Sequence, residues 1–179
     1  MKVLLTGSTG LVGSALLQKL RSADVQVDIL VRHPRVNGAP PGGKAIQWNP
    51  VTGVLDSNSL EGYDAIVHLA GENIAEGRWT KQKMARIRDS RVQGTKLLAS
   101  TIARLERKPL AFICASAVGF YGDRGNELLT EGSQPGKGFL ANVCRAWEEA
   151  CAPATDVGVR VVNLRIGMVL SAKGGALGK

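Results

Sequence analysis

The sequence predicts an α/β fold, a doubly wound parallel sheet with helices on both faces, and three observations carry that expectation. Short apolar runs alternate with longer segments whose apolar residues recur at helical period. A glycine turn, Gly7-Ser-Thr-Gly10-Leu-Val-Gly13, joins the first run to the first periodic segment. No internal repeat or linker divides the 179 residues, which fit one domain of about ordinary size.

In chain order, strands are expected at Lys2 to Thr6, Gln26 to Val31, Ala45 to Trp48, Ala65 to Leu69, Ala111 to Ala115 and Arg160 to Leu164. Each is an apolar run too short for a helix and bounded by polar or turn residues. The helix from Leu11 to Arg21 is amphipathic through Leu11, Ala15, Leu16 and Leu20. A second, from Thr80 to Leu105, carries Met84, Ile87, Leu98, Ile102 and Leu105 on one stripe. A third is expected from Gly138 to Ala152. The stretch Asn37 to Lys44, rich in Gly and Pro, reads as a surface loop. After the last strand comes a glycine-rich run to Lys179 in place of the helix that would cover a sheet edge, which suggests that something is missing beyond it.

Composition narrows the function classes. With 44% hydrophobic and 21% charged residues and a mean hydropathy of +0.00, the chain has the balance of a folded globular protein. No apolar run reaches the ~18 to 20 residues of a membrane span. The N-terminus enters the glycine turn without a signal-peptide core, so a cytoplasmic location and no membrane partner are expected. Cys114, Cys144 and Cys151 have no metal-ligand spacing; they read as core thiols, with no disulfide framework and no metal site. The net charge of +8 favours anionic partners. Aromatic residues at 4% leave little for base stacking, so nucleic acid is not expected.

The glycine turn is the strongest motif. Gly7 permits the sharp turn, Gly10 lets a pyrophosphate approach the backbone, and Gly13 lets the helix lie close on the strand. The free N–H groups of the helix start, with its dipole, attract phosphate. Thr9, Leu11 and Val12 of the same turn join the cofactor-binding set. The whole chain, 1–179, thus reads as a dinucleotide-binding, Rossmann-type domain. At the tip of the second strand an NAD site uses Asp or Glu, whereas an NADP site uses a basic group for the 2′-phosphate. Here the strand ends in Arg32, and Asp28 lies four residues too early. NADP is therefore the expected cofactor.

Together with that turn, Asp64-Ala-Ile-Val-His-Leu-Ala-Gly71 and Ser116-Ala-Val-Gly-Phe-Tyr-Gly122 resemble the extended short-chain dehydrogenase/reductase family. Leu69 to Ile74, Arg78-Trp79, Ser90-Arg91, Cys144 to Glu148 and Leu164 to Leu170 are similar to its atypical epimerase-family subgroup. The resemblance implies an oxidoreductase or nucleotide-sugar-epimerase-like activity. It also implies a C-terminal substrate lobe, following the Gly174 to Gly178 segment, that this chain lacks. It places Leu69, Ala70, Gly71 and Ala115 along the cofactor, while Glu72 and Arg78 flank the loop after the fourth strand, where a doubly wound sheet binds ligands, and read either as contacts to cofactor or substrate or as surface charges. Its chemistry rests on a serine, a Tyr-x-x-x-Lys pair and an asparagine. The serine matches Ser116. The pair is replaced by Phe139 and Val143, and the asparagine by Arg91. Tyr121, near Ser116, is a stand-in proton donor or a packing residue.

Arg91 and Gly94 fall on the apolar stripe of the second helix. A desolvated arginine needs a carboxylate, an anion-holding cavity, or a path past the helix edge to solvent. Its match to the asparagine position favours the cavity, where Arg91 would hold an anionic substrate group. His33 and His68 read as structural. Lys81, Lys83, Arg86, Arg88 and Lys96 read as a solvated helix face. Two functions follow: an NADP-dependent oxidoreductase or epimerase acting on a small, possibly anionic metabolite, and a non-catalytic NADP-binding module.

Overall fold

Strand β1, Lys2–Thr6, lies near the middle of the sheet. Leu4 points to one face and Val3 and Leu5 to the other, all buried. This is why the run reads as continuously apolar rather than alternating. The computed structural model describes residues 1–33, 39–172 and 174–175. Asn37 and Gly38 of the expected loop, and residues 176–178 of the glycine-rich segment, lie outside the described residues.

The other strands are β2 (Gln26–Val31), β3 (Ala45–Gln47), β4 (Ala65–His68), β5 (Ala111–Ala117) and β6 (Arg160–Ile166). They pair in the order β3-β2-β1-β4-β5-β6, every pair parallel. The order reverses between β1 and β4, the crevice where doubly wound sheets take ligands. Helix α1, Leu11–Ser22, covers one face, packing Leu16, Leu17 and Leu20 on Val3, Leu5, Val27 and Ile29. On the other face lie α2 (Lys81–Arg104), α3 (Phe139–Glu149) and α4 (Ala152–Thr155). Their Leu98, Ile102, Trp147 and Ala154 join Leu4, Ile66 and Phe112 in the larger core. The expected Rossmann-type architecture is the observed one.

Several expectations are corrected. The helix expected from Gly138 to Ala152 ends at Glu149 and restarts as α4, whose first turn contains Pro153. A proline inside one continuous helix would lose the bond to the carbonyl four residues earlier and clash with it. Strand β5 runs two residues past its expected end, and so does β6, because they pair on through Ser116↔Arg165 and Ala117↔Ile166. A short antiparallel hairpin, β7 (Leu170–Ser171) with β8 (Gly174–Gly175), went unforeseen.

Asp28 is fully buried near the start of β2 and serves the fold. It accepts Lys44 N–H at 2.7 Å and Tyr63 O–H at 2.5 Å, with the Lys2 ammonium at 3.5 Å. Burial, then this bond, push the Tyr63 phenol well above its ordinary range. All three cysteines are buried and free. Among the described residues no helix is long and apolar enough to cross a membrane.

Candidate functional site

The glycine turn is shaped by contacts that leave no room for side chains. Gly7 has φ +71°, and a Cβ there would lie 2.7 Å from the Leu69 carbonyl carbon. A Cβ on Gly13 would come within 2.1 Å of the Gly7 oxygen. Gly10 caps α1 in ordinary extended geometry, φ −77°, without a side-chain cap bond. Ser14 N–H is the first to bond back, to the Gly10 carbonyl at 2.8 Å. The N–H groups of Leu11, Val12 and Gly13 therefore remain as free donors of the first turn. They border a cavity of about 410 Å³ whose opposite wall is Leu69, Gly71, Glu72, Asn73 and Ile74, with Arg91 and Val169 completing it.

The opposite wall is held from beneath. Leu69 N–H and Ala70 N–H both donate to Thr6 Oγ1 at 3.2 Å, and that oxygen lies 2.6 Å from His68 Nδ1. The hydroxyl and Nδ1 share one hydrogen, so His68 is a neutral ring in either tautomer. Burial alone pushes its pKa down to about 3. His68 is structural, as expected, and this fixes a pH dependence. The unfolded ring takes a proton near pH 6.5 that the folded ring refuses until about pH 3. Stability present above pH 6.5 is thus lost through that window as pH falls, by up to about 1.4 kcal/mol per pH unit. Urea unfolding at about pH 7.5 and 5.5 should show wild type losing about 1.4 kcal/mol more than His68→Gln. Equal losses would show that His68 is not the titrating group.

Arg91 turns from the α2 stripe into the cavity. Its Nη1 donates to the Glu72 and Ile87 carbonyls at 3.0 and 3.1 Å. The guanidinium carbon sits 5.1 Å from the centre of the Trp147 ring and would lie 3.2 Å from a Cβ on Gly71. Desolvation lowers its pKa. The carbonyls hold the group in place, and among the described residues no carboxylate lies within ion-pair distance of it, the Glu72 charge acting on it from farther off. The Glu72 carboxylate is engaged elsewhere, by Lys83 at 2.7 Å and Arg86 at 3.5 Å. These bonds, the one from Lys83 foremost, lower its pKa. Lys83 is therefore a correction: it is 6% exposed and paired, not part of a solvated face.

Ser116 is buried at the end of β5, and its Oγ donates to Glu148 Oε1 at 2.6 Å. Glu148 also receives two bonds from Arg165, Nε to Oε1 and Nη2 to Oε2, both 2.9 Å. Arg165 Nη1 donates to Tyr121 Oη at 2.9 Å and to the Glu131 carbonyl at 3.0 Å. Its guanidinium stacks 3.6 Å from the Phe120 ring centre. The Glu148 bond raises the Arg165 pKa above its ordinary range. One carboxylate thus joins Ser116 and, through Arg165, Tyr121. Neither charge was singled out from sequence, although each is a charge set in a mainly apolar segment.

The remaining expected residues are placed more openly. Thr9 is exposed on the turn, Arg32 is exposed just past β2, and Ala115 is buried on β5. Arg78 is exposed on the loop before α2, its carbonyl accepting Thr80 N–H at 2.9 Å. Where the proton-transfer pair would stand, Phe139 opens α3 and Val143 is buried one turn on. Among the described residues, no three His, Cys, Asp or Glu side chains are grouped to hold a metal ion.

Comparison with known proteins gives the family. The NAD dependent epimerase/dehydratase family matches residues 3–175. The epimerase family protein Mb2239 of Mycobacterium bovis is 42% identical over 175 residues, or 98% of this chain and 56% of its own length. The nucleoside-diphosphate sugar epimerase from Corynebacterium glutamicum superposes with a TM-score of 0.83 at 44% identity, over 99% of this chain and 36% of that one. The human epimerase family protein SDR39U1 (isoform 2), solved with NADPH, gives a TM-score of 0.81 at 31% identity, over 99% of this chain and 57% of that one. The chain spans about half the length of the curated relatives it matches. By the family match and by its fold, the chain belongs to the NAD dependent epimerase/dehydratase family.

Proposed function

We propose that this chain binds NADP(H) across the carboxyl ends of β1 and β4. On this reading it is the cofactor-binding half of an oxidoreductase or nucleotide-sugar-epimerase-like protein acting on a small, anionic or hydroxylated metabolite. The observation that carries it is the cavity of about 410 Å³ in which an uncapped helix start, the three glycines of the turn and a guanidinium without an ion-pair partner among the described residues border one space. Each of these favours an anion, and a pyrophosphate fits them together. Gly7, Thr9, Gly10, Leu11, Val12 and Gly13 surround the phosphates. Leu69, Ala70, Gly71, Glu72, Arg78 and Ala115 flank the rest of the dinucleotide, and Ser116, Arg91 and Tyr121 serve its reacting end.

Arg32 supplies the preference for the 2′-phosphate, because Asp28, the nearest carboxylate on β2, is committed to Lys44 and Tyr63. The NADPH carried by the human relative supports the same choice. When bound, the dinucleotide supplies hydride transfer at its nicotinamide ring. A charge-assisted contact of Arg32 with the 2′-phosphate is commonly worth about 1.5 to 3 kcal/mol. Calorimetric titration should therefore show NADPH binding about 10- to 150-fold tighter than NADH, a preference lost in Arg32→Ala. Equal affinities, or a preference untouched by the substitution, would overturn the assignment.

One observation favours a second reading, a non-catalytic NADP-binding module. The Ser116 hydroxyl proton is committed to Glu148, and Phe139 has no proton to exchange. Such a module would bind the cofactor with the same preference and show no NADPH turnover.

A further inference from the structure

A second hollow lies beyond the far wall of the proposed cofactor cleft. Ile74 borders the cavity, and its carbonyl accepts Trp79 Nε1–H at 2.9 Å. Trp79, itself 41% exposed, meets the Phe139 ring edge-on at 5.8 Å between centres. Phe139 then lines a second cavity, of about 230 Å³, with Met84, Ala85, Lys81 and Arg88. Met84, Arg88 and Arg91 are spaced i, i+4, i+7 and so share one face of α2. That face leads from Arg91 out to this second cavity.

The two ends of this groove differ in chemistry. Its wall is an aromatic ring, a thioether and a methyl group, and Trp79 extends it; methylene and aryl groups gain by burial against such a wall. Its rim is cationic. The Lys81 ammonium has no carboxylate partner among the described residues, and Arg88 engages Asp89 through Nε at 2.8 Å. At about 30 Å³ per water-sized group, a space of about 230 Å³ takes roughly seven or eight non-hydrogen atoms.

Resting on the cofactor reading above, we propose that the groove between Lys81, Met84, Ala85, Arg88 and Phe139 is the substrate subsite. It takes a short acyl or aryl group bearing an anionic end, the apolar part against Phe139 and Met84 and the anion at Lys81.

Octanoate and 1-octanol, equal in chain length and different in charge, test this by quenching of Trp79 emission. Trp48 and Trp147 are buried and serve as internal reference. In the NADPH-loaded chain, octanoate should bind saturably and about fivefold more tightly than octanol, the upper range for an exposed ion pair. Lys81→Gln should remove that difference and leave octanol binding unchanged. Phe139→Ser should weaken both. Equal binding of acid and alcohol, no saturable quench, or a Lys81→Gln variant that keeps the difference would overturn the subsite. NADPH titration of the same samples is read separately through nicotinamide fluorescence. Failure there would sink the cofactor reading, while cofactor binding without octanoate binding would sink only the subsite.

Discussion

Gly13→Ala is expected to remove measurable NADP(H) binding and to cost the fold about 2 to 3 kcal/mol, near the top of the range for overpacking. The added Cβ would lie 2.1 Å from the Gly7 oxygen and 2.8 Å from the Gly7 carbonyl carbon. Both are backbone atoms that no rotamer change can move aside. Relief requires α1 to lift from β1 or the turn to open, and either movement takes the free amides away from the phosphates. Gly10→Ala is the control. Its Cβ would meet the same oxygen at 3.3 Å with φ in a region open to any residue, so its stability should stay within about 1 kcal/mol of wild type. Urea unfolding and calorimetric titration of both variants read the two effects separately. A Gly13→Ala protein with wild-type stability and affinity would refute this account of the turn.

Removing Glu148 should produce the second large effect. Glu148→Ala leaves Arg165, 19% exposed in its side chain, without its carboxylate, and strands the buried Ser116 hydroxyl. Breaking one side of a buried pair costs about 3 to 5 kcal/mol, and some residual exposure places this one near about 3 kcal/mol. The pair itself contributes much less than its breakage suggests, because both ions lost water to form it. Glu148→Leu combined with Arg165→Leu should therefore recover most of the loss. Ser116→Ala alone should cost about 1 kcal/mol, the usual worth of one hydrogen bond. A double-mutant cycle in urea measures these values. If Glu148→Ala lost under about 1 kcal/mol, the network would be a surface pair of ordinary weight.

How legible this was in the sequence differs from element to element. Strands β1 and β2 have the expected bounds because each is an apolar run closed by a glycine turn or a polar end. The break between α3 and α4 was missed although Pro153 announces it, since apolar residues continue on both sides. Arg91 was legible as an anomaly on an apolar stripe. Its holders were not, because the Glu72 and Ile87 carbonyls are backbone atoms that any residue would provide. Lys83 was misread because its partner lies eleven positions away on a loop. Glu148 and Arg165 meet only once the sheet brings β6 beside β5, and no local pattern encodes that meeting.

The Thr6 hydroxyl has a mechanical consequence. It sits at the end of β1, where the glycine turn begins, and carries two amides of the facing wall, while Gly7 packs directly against that wall. Floor and facing wall of the crevice are therefore tied together at this depth, unable to separate without breaking both amide bonds to the buried Thr6 hydroxyl. A jaw hinged there would have to break its own axle. The width of the opening at its base is set during folding, and a guest meets a gauge of constant size. Whatever yields on ligand entry must belong to the segments above Gly71.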